Sequence, residues 1–583
     1  MKKDSGKIKW VLLMLGLTAA SVILTAAVVI RMVSREVSTY PWETEESEGQ
    51  PAEIRLENIY ITANDSDTVS FIYEGETYRI RGFLKEPCQG VADLCISDGE
   101  IKKIYRKQAQ ISGAFLSYSE DDIEVEGYGL LARSGHLRVY RMAGDEVTEI
   151  DLTDLAIGDE TLTYIVGDGE ICAILAPEET VSETIRVLIK NQNRIEYDAL
   201  YLTGSEAWTV NGSVQDAQTP VDMVRFLYDM NPDIVSDSED GVIVSGQVRT
   251  AAAVCPSGLL YLTDSDGNKL SEGYEGTFLV RESDNGVVLI NQISIEDYVR
   301  YVLPSEMEDF FPYEAQKAQA VCARTFACYQ MKNTTYAMYG ANLDDSTSFQ
   351  VYNRNGTTER TDQAVADTAG EVIVYEGNPI ACYYYSTSPG MTETLEVWNE
   401  ESPDYISASS TLLEQEELTG HLTKKADFIR YITSAPRSYD SSSPYYRWTA
   451  SLDVSGCEDA QYGKIENIAV TKRSKSGYAL ELAVTYEKQT DVLTGEYDIR
   501  TFLGRFLRLT ELSDGTYRDS LTVLPSACFI VREKSGDTYS LAGGGFGHGI
   551  GMSQYAAGAM AEEGKTYTEI IDYFYKNVEI VKK

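Results

Sequence analysis

The stretch PYEAQKAQAVCARTFACYQMK, residues 312–332, decides the fold class, because it is the clearest helical segment in a chain otherwise patterned as strands. Ala, Gln and Lys dominate it, and Pro312 stands where a first helical turn begins. Before it, Ile185-Arg186-Val187-Leu188-Ile189, Gly258-Leu259-Leu260-Tyr261-Leu262 and Val287-Val288-Leu289-Ile290 are short apolar runs of strand character. After it come Glu371-Val372-Ile373-Val374-Tyr375 and Ile380-Ala381-Cys382-Tyr383-Tyr384-Tyr385. Two short helices are expected at the end, over 553–563 and 568–576, with Gly564 capping the first and Thr568 starting the second. The class is α+β: a β-rich protein with one long central helix and two short C-terminal helices.

Further toward the N-terminus the pattern changes twice. Residues 56–178 alternate in short runs such as Ser70-Phe71-Ile72-Tyr73, cut by Asp-Gly and Gly-Glu turns, and read as a separate all-β domain. Residues 36–55, rich in Glu, Ser, Thr and Pro, read as an acidic linker. Residues 10–30 carry no charge and as a helix would span about 31 Å, enough for a bilayer. Lys2, Lys3, Lys7 and Lys9 precede them, and Glu43, Glu45, Glu46 and Glu48 follow Arg31 and Arg35. The expectation is a cytoplasmic stub and transmembrane anchor over 1–35, with everything after Arg35 outside the membrane. A cleaved signal peptide would have a shorter apolar core and a small-residue cleavage site. The exported part then divides at 56–178 and 184–583.

Composition narrows the partners. The 583 residues include 91 acidic and 50 basic side chains, a net charge of −41. Nucleic acid is excluded as a natural partner, since binding it requires a surplus of Lys and Arg against phosphate. A neutral or zwitterionic polymer such as glycan suits the charge better. The nine cysteines have no repeated spacing and read as small buried hydrophobes. No C-x-x-C or H-E-x-x-H spacing occurs, and with three histidines no metal site or other cofactor is expected.

Chemistry concentrates around Glu306. It follows an apolar, strand-like segment (Tyr298-Val299-Arg300-Tyr301-Val302-Leu303) and precedes Phe310-Phe311-Pro312. If such a carboxyl is desolvated among these hydrophobes its pKa rises and it could hold or take a proton near neutrality, while the alternative is a surface helix carrying ordinary solvated charges. On the following helix Lys317 and Arg324, seven residues apart, fall on one face about 10 Å from each other. A cation close to Glu306 would oppose the effect of burial. Near the C-terminus, Gly545-Phe546-Gly547-His548-Gly549-Ile550-Gly551 presents an imidazole from a glycine-rich turn. It could bond substrate, support the site from behind, or tie the loop down.

The segment 298–324, with P-S-E-M and E-A-Q-K-A-Q-A-V-C-A-R-T-F-A, resembles the stage II sporulation protein D/LytB family. So does GFGHGIGMSQYAAGAMA at 545–561, and so, in order between them, do Ser348-Phe349-Gln350-Val351-Tyr352, Thr368-Ala369-Gly370 and Ser386-Thr387-Ser388-Pro389-Gly390 with Val397-Trp398. The resemblance covers 184–583. It implies a lytic transglycosylase acting on peptidoglycan glycan strands stripped of stem peptides. Glu306 would be the catalytic acid/base; Lys317, Arg324, Gln350, Tyr352, Ser386, Ser388, Gly390, His548 and Gln554 would bind substrate. One carboxyl suffices in that chemistry, because the sugar's own C6 hydroxyl is the nucleophile, whereas typical hydrolases need two carboxylates. The LytB side of the family implies a different role, a wall-binding enhancer of a cell-wall amidase. Departures are Ser388-Pro389-Gly390 where Ser-Gly-Gly is usual, Asn399 where glycine is common, and residues 336–344, which lack the His and Cys that hold zinc in some members.

Overall fold

A computed structural model describes residues 54–65, 67–82, 88–158, 161–178, 183–191, 194–229, 248–332, 334–353, 355–414, 422–459 and 461–583. The expected anchor at 10–30 and the linker lie outside them, save the linker's last two residues. Among the described residues no helix is long and apolar enough to cross a membrane.

The β-rich stretch 56–178 contains two separate sheets. Strands Ile54–Asn64, Thr68–Tyr73, Glu76–Gly82, Gly90–Ser97 and Glu100–Arg106 close into a barrel. Residues 54–71 together with Thr77–Arg106 form one compact unit, and Ile72–Glu76 with the described residues from Lys107 on form the other. In the second unit a six-stranded sheet, built from segments between Ala109 and Pro177, closes over a core that includes Phe115, Ile123, Leu131, Leu162 and Tyr164. A buried ion pair, Arg281 to Glu124 at 2.6 Å, ties this sheet to strand Thr277–Ser283 of the next.

That next sheet is the scaffold of the site. Thr184–Ile189 pairs antiparallel with Gly286–Ser294, which pairs with Thr277–Ser283. At Ser294 the chain turns directly into helix α1 (Ile295–Glu306): the Ser294 hydroxyl accepts the Asp297 N–H at 3.1 Å, and Glu296 and Asp297 place negative charge on the first turn. Helix α2 (Tyr313–Lys332) follows, then α3 (Glu359–Asp367) and strand Glu371–Tyr375. One continuous core joins the sheet, α1, α2 and the segment to Cys382 with α6 (Gln554–Glu562) and α7 (Tyr567–Phe574) at the C-terminus. The chain between is an insertion with its own cores. Leu422, Phe428, Tyr431, Tyr478 and Ile530 build one; Trp448, Leu452, Leu482, Ile499, Tyr539 and Leu541 build another. Helices α4 (Lys425–Ser434) and α5 (Glu496–Gly504) belong to it, with a five-stranded and a four-stranded sheet.

The α+β class holds, with three corrections. Among the described residues four helices, α1, α3, α4 and α5, add to the three expected there. Helix α1 had read as strand-like because Tyr and Val favour strands, but Tyr298, Val299, Val302 and Leu303 recur at helical spacing and pack into the core, which overrides that preference. Helix α7 is started by Thr566, not Thr568: the Thr566 hydroxyl accepts the Glu569 N–H at 3.3 Å while the Glu569 carboxylate accepts the Thr566 N–H at 2.9 Å, a reciprocal box. Of 380–385, only Tyr384–Tyr385 is strand. Of the nine cysteines, seven are buried and two part-buried.

Candidate active site

Glu306 is the last residue of α1, where the helix stops at Met307. The residue keeps partial access to solvent, while its carboxyl is packed round by protein. Burial pushes the carboxyl up to about 7, against hydrogen bonds from the Val351 backbone N–H, the Tyr384 hydroxyl and the Gln554 side chain, which each favour the ionised form. The Val351 N–H lies 2.6 Å from Oε1. Near neutrality this acid is therefore divided between its protonated and ionised forms.

A short parallel pairing delivers two of these partners. Tyr384 registers with Met552 and Tyr385 with Ser553, so the Tyr384 strand and the start of α6 converge on the end of α1. Gln554 Nε2 donates to the Glu306 carbonyl at 3.1 Å. Gln350 works one step behind: its Oε1 accepts the buried Tyr298 hydroxyl at 3.0 Å, and its Nε2 donates to the Tyr384 hydroxyl oxygen at 3.0 Å. With that oxygen occupied as an acceptor, the single phenolic proton of Tyr384 is left for Glu306. Tyr384 was missed in the sequence because a tyrosine in an apolar run looks like any strand residue; no local signal distinguishes it.

The other residues singled out from sequence lie elsewhere or work indirectly. Lys317 and Arg324 do share a face of α2, but that face meets other partners. Lys317 pairs with Glu314 and lies 4.7 Å over the Tyr567 ring. Arg324 is fully buried and forked onto Glu296 at 2.7 and 2.8 Å, with two further bonds to the carbonyls of Val365 and Glu371. Neither cation touches the Glu306 carboxyl, so the opposition between cation and burial weighed above does not arise there. The Tyr352 hydroxyl donates to Asn291 at 2.6 Å from within the core, away from solvent.

Ser386, Ser388 and Gly390 form a wall behind the site. The Ser386 carbonyl accepts the Tyr555 N–H at 3.1 Å. Ser388 is buried, its N–H on Asp440 at 2.8 Å, and the Asp440 carboxyl also binds the Ser553 hydroxyl. Gly390, at φ 117°, sits where a Cβ would strike the Tyr431 hydroxyl at 2.2 Å. His548 spends both ring nitrogens on the backbone: Nδ1 accepts the Ile550 N–H at 3.1 Å, which leaves Nε2–H to donate to the Tyr384 carbonyl at 2.9 Å. Burial holds it down to about 4, so the ring is neutral. It ties the glycine loop to the Tyr384 strand and thereby supports the site from behind. Gly551 shows why the loop is glycine-rich, since at φ 76° a Cβ would meet the Tyr383 carbonyl oxygen at 2.0 Å.

Where some family members carry zinc, Asp344 is instead engaged by Lys190 at 3.0 Å and the Tyr336 hydroxyl at 2.7 Å. Among the described residues no group of three His, Cys, Asp or Glu side chains is placed to hold a metal.

Fold and site together define a protein with a buried carboxyl, Glu306, at a helix end, mounted on a sheet-and-helix core that a separate domain interrupts. Residues 283–375 match the family described as stage II sporulation protein (SpoIID), and residues 392–551 match a domain of unknown function, DUF8618. The chain is 31% identical over 305 residues to stage II sporulation protein D of Bacillus subtilis (strain 168), covering 50% of this chain and 75% of that protein. It is 30% identical over 308 residues to the protein of the same name from Bacillus amyloliquefaciens, with the same coverage of both chains. It is also 29% identical over 292 residues to the amidase enhancer of Bacillus subtilis (strain 168), covering 47% of this chain and 39% of that protein. The chain belongs to the stage II sporulation protein D/LytB family.

Proposed function

We propose that the chain is a lytic transglycosylase that cleaves peptidoglycan glycan strands, with stem-peptide-free strands as substrate. The observation that carries this reading is the Glu306 carboxyl itself, buried, raised to about 7 and held by the Val351 N–H, the Tyr384 hydroxyl and the Gln554 side chain, an acid able to give and retake a proton near neutrality. Protonated, Glu306 gives its proton to the glycosidic oxygen. The muramyl C6 hydroxyl then closes on C1, and the carboxylate takes up the hydroxyl proton, leaving a 1,6-anhydro end. A hydrolase pair would need a second carboxylate about 5–9.5 Å away to act as nucleophile or to activate water. Tyr384, Gln554 and the Val351 N–H orient the acid and stabilise it after it has given up its proton. In this reading the chain is exported and held to the membrane by its first 35 residues, beside its wall substrate.

The resemblance to an amidase enhancer supports a second reading, in which the same face binds glycan without cutting it and a cell-wall amidase is the partner. Incubation of the full chain with amidase-stripped peptidoglycan, followed by mass spectrometry, separates the two. Anhydromuramyl ends are expected. Their absence, together with faster amidase action on intact wall, would sink the cleavage reading in favour of the enhancer.

A further inference from the structure

An aromatic file begins beside Glu306 and has no part in the chemistry above. Phe310, four residues beyond Glu306, is 63% exposed, an unfavourable placement for so large an apolar side chain. It is nevertheless held in place: its ring stacks on Phe311 at 4.3 Å between centroids and lies 6.3 Å from Tyr555. Tyr555 meets Phe311 edge-on at 5.2 Å and directly follows Gln554, whose side chain rests on Glu306. The Tyr555 N–H bonds the Ser386 carbonyl at 3.1 Å, and the next residue, Thr387, pairs through its backbone with Phe546, which brings the file to the Tyr445–Phe546 pair. Tyr445 stacks on Phe546 at 4.3 Å with the planes 20° apart. Both rings are anchored through the backbone, Phe546 by mutual bonds with Thr387 and Tyr445 by the Gly545 N–H at 2.8 Å.

We propose that Phe310, Tyr555, Tyr445 and Phe546 form a sugar-stacking ledge that carries neutral N-acetylhexosamine rings of the glycan strand to Glu306, its far half supplied by the DUF8618 insertion. The proposal rests on the glycan reading above and gives the insertion a task within it. Pyranose rings in β-1,4 linkage present flat faces of C–H bonds, and aromatic faces, negative at their centres, attract such polarised hydrogens. The exposed Glu308 and Asp309 border the ledge, accept hydroxyl donors and repel anionic polymers. Tyr445 and Phe546 both fall within 392–551, so the insertion lengthens the binding face beyond what the Glu306 core provides.

The test is titration of the full chain carrying Glu306→Gln, which removes turnover, with the β-1,4-linked hexamer of N-acetylglucosamine by calorimetry. Phe310→Ala, and separately Tyr445→Ala with Phe546→Ala, should each weaken binding about tenfold, while Tyr555→Phe, which keeps the ring, binds as the parent. Phe310→Ala removes an exposed ring and should melt with the parent, so its loss of affinity cannot be put down to unfolding. A parent that does not bind the hexamer, or a Phe310→Ala variant that binds it unchanged, overturns the proposal. Failure of the cleavage reading shows differently: wild type would yield no anhydromuramyl ends while hexamer binding and its dependence on Phe310 persist.

Discussion

At the scale of single residues the proton of Glu306 decides what the protein can do. Burial raises its pKa to about 7, so the donor form is full well below neutrality and is lost as pH rises through 7. Cleavage should therefore decline on the alkaline side with a limb near that value. The Tyr384 hydroxyl favours the ionised form, and its removal leaves burial less opposed. Tyr384→Phe should move the alkaline limb of the pH–rate profile upward; a limb that stays in place would show that Tyr384 does not bond the carboxyl. Glu306 and Gln350 were legible in the sequence because they stand in ordered motifs. Tyr384 was not, since its importance comes from a two-residue parallel pairing with Met552 and Ser553 that spans the whole insertion. The same limit explains Lys317 and Arg324. Helical spacing places two cations on one face, but only packing decides what that face meets, and here it meets Glu314, Tyr567 and Glu296.

At the scale of elements, helix α2 was legible from composition alone, yet its surroundings were not. It is buried over 14 of its 20 residues, so its polar side chains must find partners within the protein. Arg324 does so through Glu296 on the first turn of α1. Glu296→Gln leaves a buried guanidinium facing a neutral acceptor and should cost about 2 kcal/mol in urea denaturation, with the alkaline limb of any remaining activity unmoved. Helix α7 offers a cleaner comparison. Thr566→Ala removes the box that starts it and should cost about 1 kcal/mol, whereas Thr568→Ala should cost far less. Equal losses would contradict the assignment of Thr566. Helix α1 escaped a sequence reading because its Tyr and Val residues favour strands in isolation, and its helical state comes from the Ser294 cap and the core it packs into.

At the scale of the molecule, the split between β-rich segments and the helix-bearing core that holds Glu306 was visible in the sequence, and the insertion was not. Strand and turn signals at 392–551 look the same whether they extend one sheet or build separate cores; only the reunion of residues before 383 with those after 551 reveals the interruption. The sheet between Ala109 and Pro177 is joined to the scaffold through Arg281 and Glu124, both almost fully buried. Glu124→Ala strands a buried cation and should cost about 3–5 kcal/mol by chemical denaturation, far beyond an exposed pair such as Arg194 with Asp198. In the proposed function one carboxyl carries the chemistry, and that chemistry can be read from the product. Amidase-stripped peptidoglycan incubated with wild type and with Glu306→Gln should yield 1,6-anhydromuramyl ends from the first and none from the second by mass spectrometry. Anhydromuramyl ends from the Glu306→Gln protein, or ordinary reducing ends from wild type, would contradict the assignment of Glu306 as the lone acid/base.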